Sequence, residues 1–226
     1  MITGETRLVG LLGDPVSGSL SPLMQNAAFA ERGLDWAYVS LPVQVERLED
    51  ALPGLVALGF AGANVTTPHK VAVAKLVSAG VPSVNTLVVR EGRLHGSSTD
   101  AAILGELEFE RAAILGDGGA AAAFAAALPA APRFSRRGTW PPDLTGVDLV
   151  VNATSERQEV LVQLGAGQTL VDLPYPATAT AAAAAERGAR VIDGLDVLVA
   201  QGAVSFELWT GIKAPVDVMR AAVRSR

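Results

Sequence analysis

An α/β fold with two domains is predicted by three observations. Short apolar runs alternate with amphipathic stretches from one end of the chain to the other. The strand-type runs are brief and lack polar alternation, as in parallel strands buried on both faces. The series restarts near Ala112, where an apolar run leads into a glycine loop, Gly116-Asp117-Gly118-Gly119-Ala120.

In the first half, the run Leu8 to Gly13 reads as a buried strand closed by Asp14-Pro15. Ser21-Pro22 opens a helix through Arg32, with Gly33 as its stop. Trp36 to Leu41 is the second strand, and Gln44 to Leu58 a helix dented by Pro53. Phe60 to Val65 is a third strand. It leads into a helix with Thr67 as cap, Pro68 as first residue and Gly80 as terminator. Val84 to Arg90 and Arg93 to His95 form a hairpin around Glu91-Gly92. Asp100 then caps a helix running to about Glu110, the crossing between the two halves.

The second half places strands at Ala112 to Leu115, Val147 to Val151, Leu170 to Leu173 and Arg190 to Ile192. Helices follow the glycine loop and cover Ala177 to Arg187, Asp196 to Thr210, and Pro215 to the end.

With 226 residues, half of them hydrophobic, the chain suffices for one large domain or two small ones. Its formal net charge of −5, with no Lys/Arg block, argues against nucleic acid or an anionic membrane as partner. The absence of cysteine removes disulfides, thiol nucleophiles and thiolate-bound metals. His69 and His95 are the two histidines, too few for a metal centre, and His69 reads as polar surface. The first residues lack a signal-peptide layout and no apolar run reaches membrane-spanning length, so a cytoplasmic protein is expected.

Lys70 is the most informative single residue. It falls in the first turn of a predicted helix, where a cation faces the positive end of the macrodipole. That field favours the neutral amine, the form able to accept a proton. The ordinary alternative is an exposed lysine whose stem swings into water.

The glycine loop follows a strand and opens a helix, the context in which Gly116-x-Gly118-x-x-Ala121 acts as a dinucleotide fingerprint. Gly116 allows the tight turn, Gly118 lets backbone approach a pyrophosphate, and the helix N-terminus attracts the phosphates. About 20 residues on, where an acid would bind the ribose of NAD, stands Arg133-Phe134-Ser135-Arg136-Arg137. Arginines there suit the 2′-phosphate of NADP, and the alternative is a solvated basic loop. Asp117 sets an anion inside the loop. Gly138 to Val147, with Pro141-Pro142, is too short for the helix and strand of a complete nucleotide fold. The second half therefore reads as a reduced, Rossmann-like nucleotide-binding domain.

In order along nearly the whole chain, several blocks resemble the shikimate dehydrogenase family. They are Gly13-Asp14-Pro15-Val16, Ser19-Leu20-Ser21-Pro22, Asn64-Val65-Thr66-Thr67-Pro68-His69-Lys70, Val84-Asn85-Thr86 and Thr99-Asp100. The glycine loop, Val151-Asn152-Ala153-Thr154-Ser155, Asp193-Gly194-Leu195 and Leu198-Val199-Ala200-Gln201 complete the series. The resemblance implies an N-terminal substrate domain (residues 1–101), a trimmed NADP domain (102–211), a deep cleft between them, and a final helix (212–226) returning to the first. It implies reversible NADPH-dependent reduction of 3-dehydroshikimate to shikimate, a step of the chorismate route to aromatic amino acids, by a monomer or homodimer.

By the same resemblance Lys70 and Asp100 are the catalytic pair. Ser19 and Ser21 hold the substrate carboxylate, and Thr66, Asn85, Asp100 and Gln201 meet the ring hydroxyls. Tyr175 lies near substrate and nicotinamide. Gly116, Gly118, Gly119, Ala120, Ser135, Arg136, Arg137, Asn152, Thr154 and Gly194 serve NADP(H), and no metal is implied. Each has an ordinary reading too: Ser21 and Asp100 as helix caps, Thr66, Asn85 and Gln201 as strand-end or cap residues, Tyr175 as a packed aromatic. The chain departs from the family at Gly96-Ser97-Ser98-Thr99-Asp100, where Ser98 replaces an amide, and in a short Lys70-to-Asn85 connection. Two other functions fit the pattern: a quinate or amino-shikimate dehydrogenase, and a non-catalytic shikimate-binding protein with a decayed cofactor site.

Overall fold

A computed structural model describes residues 2–225. Contacts divide them into two compact units, one reaching Thr99 and including the segment from Val199 onward, the other Asp100 to Leu198.

The first unit is built on a five-stranded sheet of order β2-β1-β3-β4-β5. Its strands are β1 (Arg7–Gly13), β2 (Trp36–Pro42), β3 (Gly62–Val65), β4 (Thr86–Arg90) and β5 (Arg93–Ser97). β1 runs parallel to β2 and β3, whereas β4 and β5 form the expected hairpin and run antiparallel. Glu91 and Gly92 have positive φ values of 50° and 69°, as a tight hairpin turn requires.

Helix α1 (Ser21–Glu31) buries Met24, Ala28 and Phe29, residues that share one face at helical spacing. Val45–Arg47 is a single 3₁₀ turn, after which α2 (Leu48–Ala57) buries Leu48, Leu52 and Leu55 against β3 residues Ala63 and Val65. Helix α3 spans Lys70–Leu76, two residues later than the sequence suggests, with His69 and not Thr67 at its N-cap. The reason lies in the preceding turn. Thr67 carbonyl accepts from the Asp14 N–H at 3.1 Å and Thr66 N–H donates to Leu12 carbonyl at 2.8 Å, so both are tied to β1. α3 also stops short of Gly80, because Ser78 forms a bridge to His95 and its carbonyl accepts from Gly96 N–H.

The second unit holds a sheet of order β10-β9-β8-β6-β7, parallel throughout. β6 (Ala112–Leu115), β8 (Leu149–Asn152), β9 (Thr169–Asp172) and β10 (Arg190–Ile192) follow the expected order. β7 (Arg133–Phe134) is a two-residue edge strand inside the stretch read as a basic loop. Helix α4 (Gly119–Ala127) follows the glycine loop, and α5 (Ala179–Glu186) is capped by the Thr178 hydroxyl, which accepts from Ala181 N–H.

The expected helix from Asp100 to Glu110 is not formed. Ala102–Glu106 is a 3₁₀ segment with Ala101 as its N-cap, so Asp100 is not a helix cap. Gly105 weakens helical continuation there, and the Leu104 and Leu107 N–H groups make i−3 bonds of 3.0 and 3.2 Å. Between Phe134 and Leu149 no strand occurs among the described residues, which accounts for the reduced size of this sheet.

Helix α6 (Gly194–Thr210) begins in the second unit, and from Val199 it belongs to the first. The segment returning to the first unit is therefore longer than the final helix expected from sequence. Phe206 stacks on Phe29 with ring centroids 5.4 Å apart, and Trp209 Nε1 donates to Leu87 carbonyl at 2.9 Å. Helix α7 (Val216–Arg224) buries Met219 and Val223 and packs on α1. Phe206→Ala empties a fully buried site, and the expected loss is about 3–5 kcal/mol of first-unit stability. Urea unfolding followed by tryptophan emission checks it, since Trp36 and Trp209 both lie in that unit.

Candidate active site

Strand register gathers the predicted residues of the first unit at one sheet edge. Leu12 pairs with Leu41 and Val65, so β1, β2 and β3 end together, and Ser19, Ser21, Thr66 and Lys70 all follow those ends. β4 is antiparallel with Asn64 opposite Thr86, which brings Asn85 to the same edge. Thr86 lies opposite Ser97, so Thr99 also leaves the sheet there, with Asp100 next in the chain.

A buried hydrogen-bond network organises this edge. Asn64 Nδ2 donates to Asn85 carbonyl at 3.0 Å, Thr86 Oγ1 at 3.2 Å and Ser205 Oγ at 3.0 Å. Its Oδ1 accepts from the Tyr38 hydroxyl at 2.9 Å. Asn85 Nδ2 donates to Thr99 Oγ1 at 2.9 Å and Gln201 Oε1 at 3.2 Å, and its Oδ1 accepts from Thr99 N–H at 2.7 Å. Ser205 Oγ donates to Gln201 carbonyl one helical turn back. Asn85 and Gln201, on remote parts of the sequence, are thus in direct contact. Tyr38, Asn64, Thr86, Thr99 and Ser205 hold them and were not singled out from sequence. One available signal was the four-residue spacing of Gln201 and Ser205 on a helix, another an amide at Asn64 inside an apolar strand.

Lys70 is the first residue of α3 and is partly buried. Its carbonyl accepts from Val84 N–H at 3.0 Å, which fixes the short connection to Asn85. His69 is 1 % exposed, contrary to its reading as polar surface. Its Nε2 donates to Val43 carbonyl at 2.6 Å and anchors the start of the helix. Ser19 Oγ accepts from Ser21 N–H at 3.2 Å, a turn in which Ser21 is the first helical residue and Leu20 the N-cap. The capping alternative for Ser21 therefore does not hold. Asp100 is 7 % exposed, and Ser98 Oγ is buried with no hydrogen-bond partner among the described residues. A depression of about 510 Å³, lined by Asp14, Val43, Gln44, Arg47 and Asp50, includes none of the predicted substrate residues.

In the second unit, Leu115 pairs with Phe134 and Asn152, and Asn152 with Asp172. Gly116, Ser135, Ala153 and Leu173 therefore stand just beyond one carboxyl edge, where open parallel sheets bind ligands. β6 leads by α4 to β7 on one side and neighbours β8 on the other, which makes the glycine loop the switch point of the sheet. Gly116 has φ of 121°, and a Cβ there would come within 2.8 Å of Ala153 carbonyl oxygen. A Cβ at Gly118 would meet nothing within 4 Å, so the space over the loop is open. Gly119 and Ala120 form the first turn of α4 with no bulky side chain. The loop thus fits a pyrophosphate held by the free N–H groups of a helix start.

Asn152 Nδ2 donates to Asp172 at 2.7 Å, and its Oδ1 accepts from Thr154 N–H and Oγ1 at 3.2 and 2.7 Å. Its amide is therefore committed largely to shaping the Ala153-Thr154 turn. A Cβ at Gly194 would lie 2.4 Å from Pro174 carbonyl oxygen, so this glycine permits close approach of two backbones. Tyr175, partly buried, lies beyond the end of β9. Arg136 pairs with Glu159 and Arg137 with Asp117. Among the described residues no group of three or more His, Cys, Asp and Glu is placed to hold a metal ion, and no helix is long and apolar enough to cross a membrane.

The family profile of the shikimate dehydrogenase substrate binding domain matches residues 11–87, and that of the shikimate 5′-dehydrogenase C-terminal domain matches 194–224. A shikimate dehydrogenase (NADP⁺) of Anaeromyxobacter sp. (strain Fw109-5) is 40 % identical over 272 aligned positions, covering 99 % of this chain and 98 % of that protein. The chain belongs to the shikimate dehydrogenase family. The alignment is longer than the 226 residues here, so the relative carries residues that this shikimate dehydrogenase homologue lacks. A crystal structure of a shikimate dehydrogenase with NADP⁺ superposes with a TM-score of 0.90 at 31 % identity, covering 100 % of this chain and 97 % of the other. The Thermus thermophilus enzyme, crystallised with NADP(H) and shikimate, gives 0.82 at 29 % identity, covering 97 % and 99 %.

Asp172 supplies a pH prediction for this family member. Burial raises its pKa above the ordinary carboxylate value, opposed by the hydrogen bonds from Asn152 and Thr178. The native state then holds this proton at pH values where the unfolded chain has lost it. Stability from this group is accordingly present at low pH and declines as pH rises from the ordinary carboxylate range through the raised value. Denaturation of the parent beside Asp172→Asn should show the difference shifting in favour of the parent as pH falls through that window.

Proposed function

We propose that the protein is an NADP-dependent shikimate dehydrogenase, catalysing reversible reduction of 3-dehydroshikimate to shikimate. The observation that carries this is the ordered edge of the first unit. Register brings Thr66, Lys70 and Asn85 to it and a 3.2 Å bond ties Gln201 to Asn85, in a chain 40 % identical to an enzyme of that name.

The first unit takes the substrate. Shikimate is a carboxylate bearing three ring hydroxyls, and the edge offers hydroxyls at Ser19, Ser21 and Thr66 with amides at Asn85 and Gln201. Ser19 and Ser21 receive the carboxylate, the others the ring hydroxyls. Asn85 is held through both of its side-chain atoms, so its orientation is set, and a ring hydroxyl takes the Nδ2 hydrogen that otherwise goes to Gln201.

Lys70 is the proton donor and acceptor, and Asp100 is the carboxylate of the acid–base pair. In reduction, the carbonyl carbon gains a hydride and the C=O π pair moves onto oxygen. The Lys70 ammonium gives a proton to that oxygen, leaving an alcohol and a neutral amine that solvent reprotonates. When bound, a nicotinamide cofactor would supply the hydride; the glycine loop of the second unit would hold its phosphates, and Ser135, Arg136 and Arg137 its 2′-phosphate.

Lys70→Ala should reduce turnover by at least about 100-fold, the lower range for a lost general acid–base. Calorimetric affinity for shikimate should change far less, because the hydroxyl and amide contacts remain. Near-normal turnover in that variant would remove Lys70 from the proton-transfer step.

A further inference from the structure

The two arginines that follow β7 are each engaged with a carboxylate of their own unit. Arg136 Nη2 donates to Glu159 Oε2, and the guanidinium stands 5.8 Å from the Trp140 ring centroid. Arg137 Nε lies 3.8 Å from Asp117 Oδ2, within the glycine loop. Glu156 adds a third carboxylate whose charge acts on Arg136. Two guanidiniums are therefore paired with two carboxylates at the loop proposed to take a phosphate dianion.

The backbone that carries Glu159 is held in place on both sides. The Glu156 carboxylate accepts backbone N–H bonds from Arg157, Gln158 and Glu159 at 2.9, 2.8 and 3.1 Å, closing a turn that presents Glu159. Those bonds hold the Glu156 pKa below its ordinary value. Glu159 carbonyl accepts from Thr180 Oγ1, and that hydroxyl also accepts from Leu161 N–H. The loop backbone is thus fastened to the start of α5, and the exposed Glu159 side chain reaches Arg136 from it.

We propose that Glu159, assisted by Asp117, occupies the arginines as an internal substitute for the cofactor 2′-phosphate, and thereby sets how strongly the chain prefers NADP over NAD. This rests on the assignment of the second unit to NADP. A 2′-phosphate must displace or share the guanidinium that Glu159 holds, whereas a nucleotide without that phosphate leaves the pair intact. The carboxylate therefore weakens binding of the phosphorylated nucleotide alone. Both partners are more than half exposed, which keeps the pair reversible at ordinary ionic strength.

The test is direct binding of adenosine 2′,5′-bisphosphate and 5′-AMP to the whole chain, by calorimetry, for the parent, Glu159→Gln, Asp117→Asn and Arg136→Ala. Glu159→Gln should tighten the bisphosphate by about two- to fivefold, the scale of an exposed ion pair, and leave 5′-AMP unchanged. Asp117→Asn removes an anion from the glycine loop itself and should tighten both nucleotides, the bisphosphate more than 5′-AMP, and raising the salt should shrink these gains. Arg136→Ala should abolish the parent's preference for the bisphosphate. Weaker bisphosphate binding in Glu159→Gln would overturn the proposal, because the carboxylate would then be orienting Arg136 for the phosphate. Equal changes for both nucleotides would overturn it as well, as a general effect on the loop. A parent that does not distinguish the two would overturn the NADP assignment itself, and this inference with it.

Discussion

Asn64 sits in a four-residue strand whose neighbours are Ala63 and Val65, and at 4 % exposure its amide has no recourse to water. Burying such a group is tolerable only when its bonds are made within the protein. Tyr38 on β2, Asn85 and Thr86 at the start of β4, and Ser205 on α6 make them. One side chain therefore ties together two strands of the sheet, the entry to the hairpin and a helix well over a hundred residues away. Asn85 is the second node and passes the constraint to Thr99 and Gln201. A network satisfied at every member has few alternative arrangements, which suits the substrate role proposed for Asn85 and Gln201.

The second unit works by a different device. Its strands are apolar along most of their length, with Asn152 and Asp172 at the ends of β8 and β9, and their parallel register levels those ends so that short loops meet along one line. Gly116 and Ala153 approach more closely than any side chain at 116 would allow. The Asp172-Asn152-Thr154 chain of hydrogen bonds shapes the turn on the other side of that approach. Among the described residues the sheet ends at the two-residue β7, and the switch point at the end of β6 is whole. Size is reduced where the fold can spare it.

Much of this was legible in the residues. The apolar runs of β1, β6 and β8, the glycine loop ahead of α4 and the Glu91-Gly92 hairpin are local signals, set by burial and by backbone dihedral preference. Other features depended on contacts that local sequence does not carry. Thr67 and Pro68 look like a helix start, but the Thr67 carbonyl is claimed by Asp14 and the helix waits until Lys70. Arg133-Phe134 is too short and too polar to announce a strand, and pairing with β6 makes it one. Asp100 has the chemistry of a cap, yet the segment after it winds as 3₁₀ around Gly105. The arginine loop is legible from its charge and its distance from the glycine loop. Its carboxylate partners come from Glu159 and Asp117, which no spacing rule connects to it.

A chain with a shortened nucleotide unit still joins shikimate oxidation to NADP⁺ reduction. The stoichiometry of the unaltered protein tests this: NADPH formed, read by absorbance, against 3-dehydroshikimate formed, read by chromatography, with NAD⁺ in a parallel reaction. One 3-dehydroshikimate per NADPH is expected, with a faster reaction on NADP⁺ than on NAD⁺. Shikimate bound but not oxidised with either nucleotide would contradict it.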